Sequence, residues 1–404
     1  MKLHTGSLFW ETTVDIKSFK NGARKELYDI AIIGGGMSGA LCAFVLAQEG
    51  YSLVMIEQNE VGGGSTSANT GLLQFSNDIM LHELMEEIGE EQAVEFYRSC
   101  KKALQQLQEV ADHTSFNVNF HSRNSLYYAS TEEDVPRLKK EYEALREHGF
   151  PVEYWERKDI EARFPFSRPA AIVTEGDAEV NPLRLCIGAI HYAYEKGMDV
   201  FEHTEVLEIE DRDEDAVIKT SDGDFHARTV VVTTGYAPAP QLDVLQKDLK
   251  ITYAIATQPI EDLSFWHERM MIWETKRPYL YMRLTDDQRI IAGGLDRDAK
   301  KLLGSTDAAE KKFDELRSEL KKLFPNEEIR SEYEWVAVFG ESTDELPVIG
   351  RHPNESHVYY LIGLGGNGTV YSMLGAYLIR DEIVGQDNPN QAILEVERQK
   401  TSGE

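Results

Sequence analysis

Cysteine is the rarest residue in this chain: only Cys42, Cys100 and Cys186 occur, far apart and without a C-x-x-C pair. That excludes a disulfide framework and favours a reducing compartment, so a cytoplasmic location is expected. No apolar run approaches the length of a membrane span, and the N-terminus lacks an apolar signal core. Basic residues are also short: 42 Lys and Arg face 70 Asp and Glu, a formal charge of -28. A nucleic-acid partner needs a basic surface, so none is expected. There is no H-E-x-x-H, no cysteine–histidine cluster and no G-x-S-x-G, and the eleven histidines are scattered. Metal-assisted hydrolysis and serine hydrolysis therefore have no residues to run on, and no metal is expected. Internal repeats and low-complexity tracts are absent too.

What is present begins at Tyr28. Tyr28–Ile33 is a short apolar run with the character of a buried strand. Gly34, Gly36 and Gly39 follow as G-x-G-x-x-G, and Ala40–Gln48 is rich in helix formers. The first glycine allows a tight turn, the second lets backbone approach a pyrophosphate, and the third lets helix pack closely on strand. Ser52–Ile56 reads as the next strand and delivers Glu57, whose carboxylate can accept both ribose hydroxyls of an adenosine. Strand, glycines, helix, strand and acid in that order specify a dinucleotide site. The motif is shared by FAD and NAD.

At 404 residues, with 42% hydrophobic and 28% charged content, the chain is long enough for two interleaved domains. Helices are expected over Glu86–Val110, Asp134–His148 and Asn181–Lys196, with Pro182 suited to a first turn. Val118–Ala129 alternates like a strand or hairpin, and Thr229–Gly235 reads as a buried strand. Tyr279–Leu284 and Arg289–Ala292 are placed to pair as a hairpin. Ala308–Leu323 carries Phe313, Leu316, Leu320 and Leu323 at helical spacing, a core-facing stripe. Tyr359–Gly368 is a last glycine-rich unit before a helix through Ile383. The expected fold is α/β: a Rossmann-type nucleotide domain of 1–95, 175–240 and 335–404, interleaved with a mixed-sheet α+β domain of 96–174 and 241–334.

Four segments together resemble the D-amino-acid-oxidase-like family of FAD-dependent oxidoreductases, the group that includes glycine and sarcosine oxidases. They are GGGMSG with Glu57, GGGSTSANTGLL over Gly62–Leu73, VVVTTGY over Val230–Tyr236, and STDELPVIG followed by GLGGNGTVYS over Gly363–Ser372. The leader GSLFWETT resembles the branch of gamma-glutamylputrescine oxidoreductases. The resemblance implies a glutathione-reductase-like FAD domain with non-covalent FAD. It places Gly34, Gly36, Met37, Ser38 and Gly39 at the pyrophosphate, and Glu57 and Gln58 at the adenosine ribose. Gly64, Ser65 and Thr66 would wrap diphosphate or ribityl oxygens, with Asn69, Gly71 and Leu72 near the isoalloxazine and Val206 at the adenine. Thr234 and Gly235 would approach from the re-entering strand. Gly366, Asn367, Gly368 and Thr369 would present N–H groups to the flavin N1–C2=O edge.

The implied activity is oxidation of the C–N bond of an amine or amino acid by hydride transfer to flavin N5, giving an imine that hydrolyses. Oxygen or another acceptor would then take the electrons. No protein nucleophile is required, since flavin does the difficult step. In the family the arginine of W-x-G-x-R-P grips a substrate carboxylate; here the matching position is Phe339, which has no donor. Ala68 likewise replaces the loop arginine. Both departures disfavour glycine or D-alanine and favour an amine carrying an apolar or extended group. Arg283 shares a strand face with Tyr279 and Tyr281 and is the candidate substitute in the pocket; the other reading pairs it with an acid such as Asp286. Trp273, Trp335 and Phe339 are candidate pocket walls, or ordinary core. An FAD-dependent dehydrogenase of a 2-hydroxy acid or related C–OH substrate is the alternative, and it predicts a base beside the flavin motifs. A non-enzymatic FAD-binding scaffold is the third reading.

Overall fold

The computed structural model describes residues 3–14, 19, 22–236, 248–299, 306–342 and 344–398. Thr343, and the opening of the excursion expected from residue 241, lie outside them. Two sheets organise the molecule. The smaller has the strand order Val348–Arg351, Val358–Ile362, Phe225–Gly235, Tyr28–Ile33, Leu53–Ile56, Asp199–Phe201. From Val358–Ile362 onward these strands pair in parallel. They are apolar on both faces because both faces are covered. A side meander, Val206–Asp211 and Ala216–Thr220, pairs antiparallel onto Phe225–Gly235.

Met37–Gln48 is the helix that the glycine turn launches, and every residue from Met37 to Leu46 is buried. A helix that is apolar all round belongs inside. This one touches the helices Pro182–Glu195 and Gly368–Val384, and Ser38 Oγ meets Ser372 Oγ at 2.8 Å. Pro182 occupies the first helical turn as expected, and Asn181 caps it by accepting from Arg184 N at 3.1 Å. Such a cap contributes about 1 kcal/mol.

The larger sheet is mixed. Its order is His4–Gly6, Ser331–Glu341, Asp248–Thr257, Ile290–Asp298, Leu280–Leu284, Met271–Glu274, His121–Tyr128, Ala170–Glu179, Leu72–Leu73. Its pairs are antiparallel except Met271–Glu274 with His121–Tyr128. Leu280–Leu284 and Ile290–Asp298 form the expected hairpin. Phe313, Leu316, Leu320 and Leu323 of the helix Thr306–Leu323 are buried against this sheet, in a cluster with Tyr253, Ile255 and Val336.

The α/β architecture interleaved with a mixed sheet is as the sequence suggests, but the boundaries differ. The divisions at 175 and 335 fall inside the single strands Ala170–Glu179 and Ser331–Glu341, each of which stays in the larger sheet along its length. His4–Gly6 and Leu72–Leu73 also join that sheet, so residues 1–95 serve both. A boundary drawn from composition cannot see a strand that crosses it. No helix among the described residues is long and apolar enough to cross a membrane, and no His/Cys/Asp/Glu group among them is arranged to hold a metal.

Candidate active site

Ligands of open parallel sheets bind beyond the carboxyl ends of the strands. A cleft of about 800 Å³ lies there. Gly34, Gly36, Met37 and Ser38 line one wall, with Glu57 and Gln58 at the end of the next strand. Gly64, Ser65, Thr66 and Asn69 form the opposite rim, and Val206, Thr234 and Gly235 close a third side. A Cβ built on Gly36 has Thr66 Oγ1 at 3.4 Å as its nearest neighbour, so the position faces open cleft. Gly39 does not line the cleft. A Cβ there would collide with the carbonyl oxygen of Gly34, so this glycine lets the helix lie against the strand.

Glu57 accepts from Gly35 N at 2.7 Å and from Asn59 N at 2.8 Å. Burial pushes its pKa up, and those backbone N–H groups oppose the shift. A carboxylate has roughly four acceptor sites, so two hydroxyl donors can still be received. The N-terminal segment borders the cleft: Leu3 and His4 line it, and His4 Nε2 meets Gly63 O at 3.0 Å.

Three buried hydroxyls in this cleft, Ser65 Oγ, Thr234 Oγ1 and Thr369 Oγ1, have no hydrogen-bond partner among the described residues. Buried polar groups are normally paired, so hydroxyls left over along one groove fit a ligand rich in oxygens. At the far end the helix Gly368–Val384 begins without a side-chain cap. Its N-cap residue Asn367 instead sends Nδ2 to Gln74 O at 2.9 Å and Asn77 Oδ1 at 3.0 Å. The first-turn N–H groups are thereby left for an anionic or carbonyl acceptor. Glycine turn, ribose acid, orphan hydroxyls and an uncapped helix start fit FAD along the cleft.

From the Gly366–Thr369 turn an inner cavity of about 150 Å³ opens toward the larger sheet. Leu72, Ala68, Trp273, Tyr279, Tyr281 and Phe339 line it, together with Gly366, Asn367, Gly368 and Thr369. Trp273 stacks on Tyr127 with ring centroids 3.8 Å apart, which fixes that wall.

Two residues expected in the pocket are elsewhere. Trp335 is fully buried, and its indole N–H donates to Ala68 O at 2.9 Å, behind the loop. Arg283 is also buried and does not reach the cavity. It donates to Thr70 O at 2.7 Å, Val180 O at 2.6 Å and Leu284 O at 3.2 Å, with Glu179 at 3.7 Å and Trp10 stacked at 5.1 Å. The alternative partner Asp286 is taken by His121 at 2.8 Å. Gly71 lines neither space. It sits at φ +77°, where a Cβ would meet Val180 O and the Arg283 guanidinium, so glycine is what lets Arg283 grip this loop. Trp10 completes the clamp by donating to Asn69 O at 2.6 Å.

Sequence reading missed Asp78 and Asp296, which line the inner cavity, and the role of Tyr236, whose hydroxyl donates to Gly365 O at 2.9 Å. Tyr236 stood at the end of VVVTTGY and was readable there. Asp78 lies outside every motif. Asp296 sits on a strand that alternation carried only to Ala292.

Residues 29–382 match the family described as DAO: FAD dependent oxidoreductase. The chain is 25% identical over 371 residues to glycine oxidase of Bacillus subtilis (strain 168), covering 90% of this chain and 95% of that one. It is 24% identical over 400 residues to gamma-glutamylputrescine oxidoreductase of Escherichia coli (strain K12), covering 95% and 90%. The crystal structure of glycine oxidase from Geobacillus kaustophilus superposes with a TM-score of 0.77 at 22% identity, over 90% of this chain and 96% of that one. With the cleft that fits the cofactor and a match running almost end to end, the chain belongs to the DAO family of FAD-dependent oxidoreductases.

Proposed function

We propose that the protein oxidises the C–N bond of an amine or amino acid. The observation carrying this reading is the lining of the inner cavity: aromatic walls beside the Gly366–Thr369 turn, with no histidine, lysine or arginine among the described residues. A 2-hydroxy acid would ask for a cation at its carboxylate, and none lines the cavity among the described residues, which also weighs against a simple alpha-amino acid and toward an amine. Bound FAD supplies a two-electron hydride acceptor. The substrate gives up its alpha C–H as hydride and an N–H proton to solvent, becoming an imine. Water then hydrolyses it to a carbonyl compound and ammonia or a smaller amine.

The chain's part is to hold and to shield. Trp273, Phe339 and Leu72 exclude water from the reacting carbon, while the Tyr279 and Tyr281 hydroxyls orient nitrogen. Gly34, Gly36, Met37, Ser38 and Glu57 would anchor the nucleotide end, and the helix start at Gly368 would stabilise negative charge on the ring.

Anaerobic bleaching of the flavin tests the reading. Primary or secondary amines should bleach it, and 2-hydroxy acids should not; the reverse result, or no bleaching by any substrate, removes the proposal. Phe339→Arg is the companion experiment. It should retain FAD and raise kcat/KM for carboxylate-bearing amines relative to neutral ones by about tenfold, the size of one charge-assisted hydrogen bond. A change in folding stability alone would take Phe339 out of the substrate cavity.

A further inference from the structure

We infer that the preferred substrate is a diamine or related polyamine, its non-reacting cationic group held by Asp78 and Asp296. This rests on the amine-oxidation reading and narrows it. Among the described residues lining the inner cavity, those two aspartates are the only charged side chains. Their placement is specific. A Cβ on Gly366 would stand 2.7 Å from Asp78 Oδ2 and 3.3 Å from the Tyr279 hydroxyl, so the acid and the phenol converge on the turn at the last helix. Burial first, and then the charges of Asp78 and Asp296, push the Tyr279 phenol up, which puts both carboxylates close enough for their fields to reach it.

The walls suit a cation as well: Trp273, Tyr279 and Tyr281 lie within 6.3 Å centroid to centroid in sequence, and aromatic faces attract ammonium groups.

The approach has the same character. Asp78, Tyr279 and Asp296 also belong to a wide vestibule of about 950 Å³, where acidic residues outnumber basic ones two to one. Its four basic residues are engaged with or flank acids or rings. Arg137 is locked to Glu83 at 2.6 Å, and Arg277 lies 4.7 Å over the Tyr279 ring and donates to Asp78 O at 3.4 Å. Lys250 and Arg297 stand on neighbouring strands of the larger sheet. The chain's charge of -28 extends this field outward. A cleft of one sign concentrates ligands of the other, and an added carboxylate on the substrate is repelled twice, at the mouth and inside.

The test compares 1,4-diaminobutane with n-pentylamine, which has as many heavy atoms, and with 4-aminobutanoate, by anaerobic flavin reduction in the intact holoprotein. The diamine should exceed n-pentylamine in kcat/KM by about a hundredfold, from two charge-assisted contacts of about tenfold each. 4-Aminobutanoate should be the slowest, and the advantage of the diamine should shrink as salt rises. Asp296→Asn and Asp78→Asn should each lower the diamine-to-pentylamine ratio about tenfold, with the flavin absorbance of each variant reporting that it has folded. Equal rates for diamine and n-pentylamine, a faster 4-aminobutanoate, or ratios unmoved in both variants would overturn the inference while leaving amine oxidation standing. Failure of every amine to reduce the flavin would instead overturn the reading beneath it.

Discussion

Gly36→Val should give a folded protein that no longer holds flavin. The backbone at Gly36 is extended (φ -83°, ψ -170°), a conformation open to any residue. The nearest atom to a new Cβ is Thr66 Oγ1 at 3.4 Å, so the scaffold has room for the first carbon. The branched methyls then occupy the floor of the cleft, where phosphate oxygens must come within hydrogen-bond distance of backbone N–H. FAD affinity should fall at least about a hundredfold, which corresponds to about 2.7 kcal/mol. Far-UV circular dichroism should be unchanged and the protein colourless. Gly39→Val is the contrasting control, since its Cβ strikes the Gly34 carbonyl and the helix must leave the sheet. A yellow Gly36→Val protein with ordinary affinity would refute the phosphate placement.

Arg283→Met should cost about 3–5 kcal/mol of stability, because a buried charge network loses its cation. Three carbonyls, from Thr70, Val180 and Leu284, lose their donor together. Glu179, 1% exposed, keeps only Arg123, whose Nη2 lies 2.8 Å away. The loop from Asn69 to Leu72 then loses its side-chain clamp and keeps the Trp10 bond, the Gly71–Val180 bond and the edge pairing of Leu72, so the flavin should be released more readily. Urea unfolding monitored by tryptophan fluorescence measures the loss. The residual folded enzyme should discriminate between amines and amino acids as the parent does. Unchanged stability combined with a selective collapse of amino-acid oxidation would return Arg283 to the substrate pocket.

That residue also shows where sequence reading stops. The nucleotide turn was legible because its logic is local: strand, glycines, helix and Glu57 lie within thirty residues, and each constrains its neighbour. For the substrate side, alternation puts Tyr279, Tyr281 and Arg283 on one strand face, although the strand itself begins at Leu280. It carried no information about what that face meets along its length. The Tyr279 end faces the cavity, while the Arg283 end lies under the carbonyls of a loop two hundred residues away in sequence. Trp335, Ala337 and Phe339 repeat the pattern on the neighbouring strand. Ala337 and Phe339 reach the cavity, and Trp335 is shut behind Ala68. Asp78 and Asp296 belong to no motif, so only the folded chain brings them together.

The edge strand His4–Gly6 pairs with Ser331–Glu341, and its first residue, His4, borders the cleft together with Leu3. During translation its partner emerges more than 300 residues later, on the order of half a minute at about 10 residues per second. Until then the nascent flavoprotein keeps one flank of its nucleotide groove uncovered. That bordering strand is thus made more than 300 residues before the strand that fastens it, which leaves an interval in which coenzyme can enter from that flank.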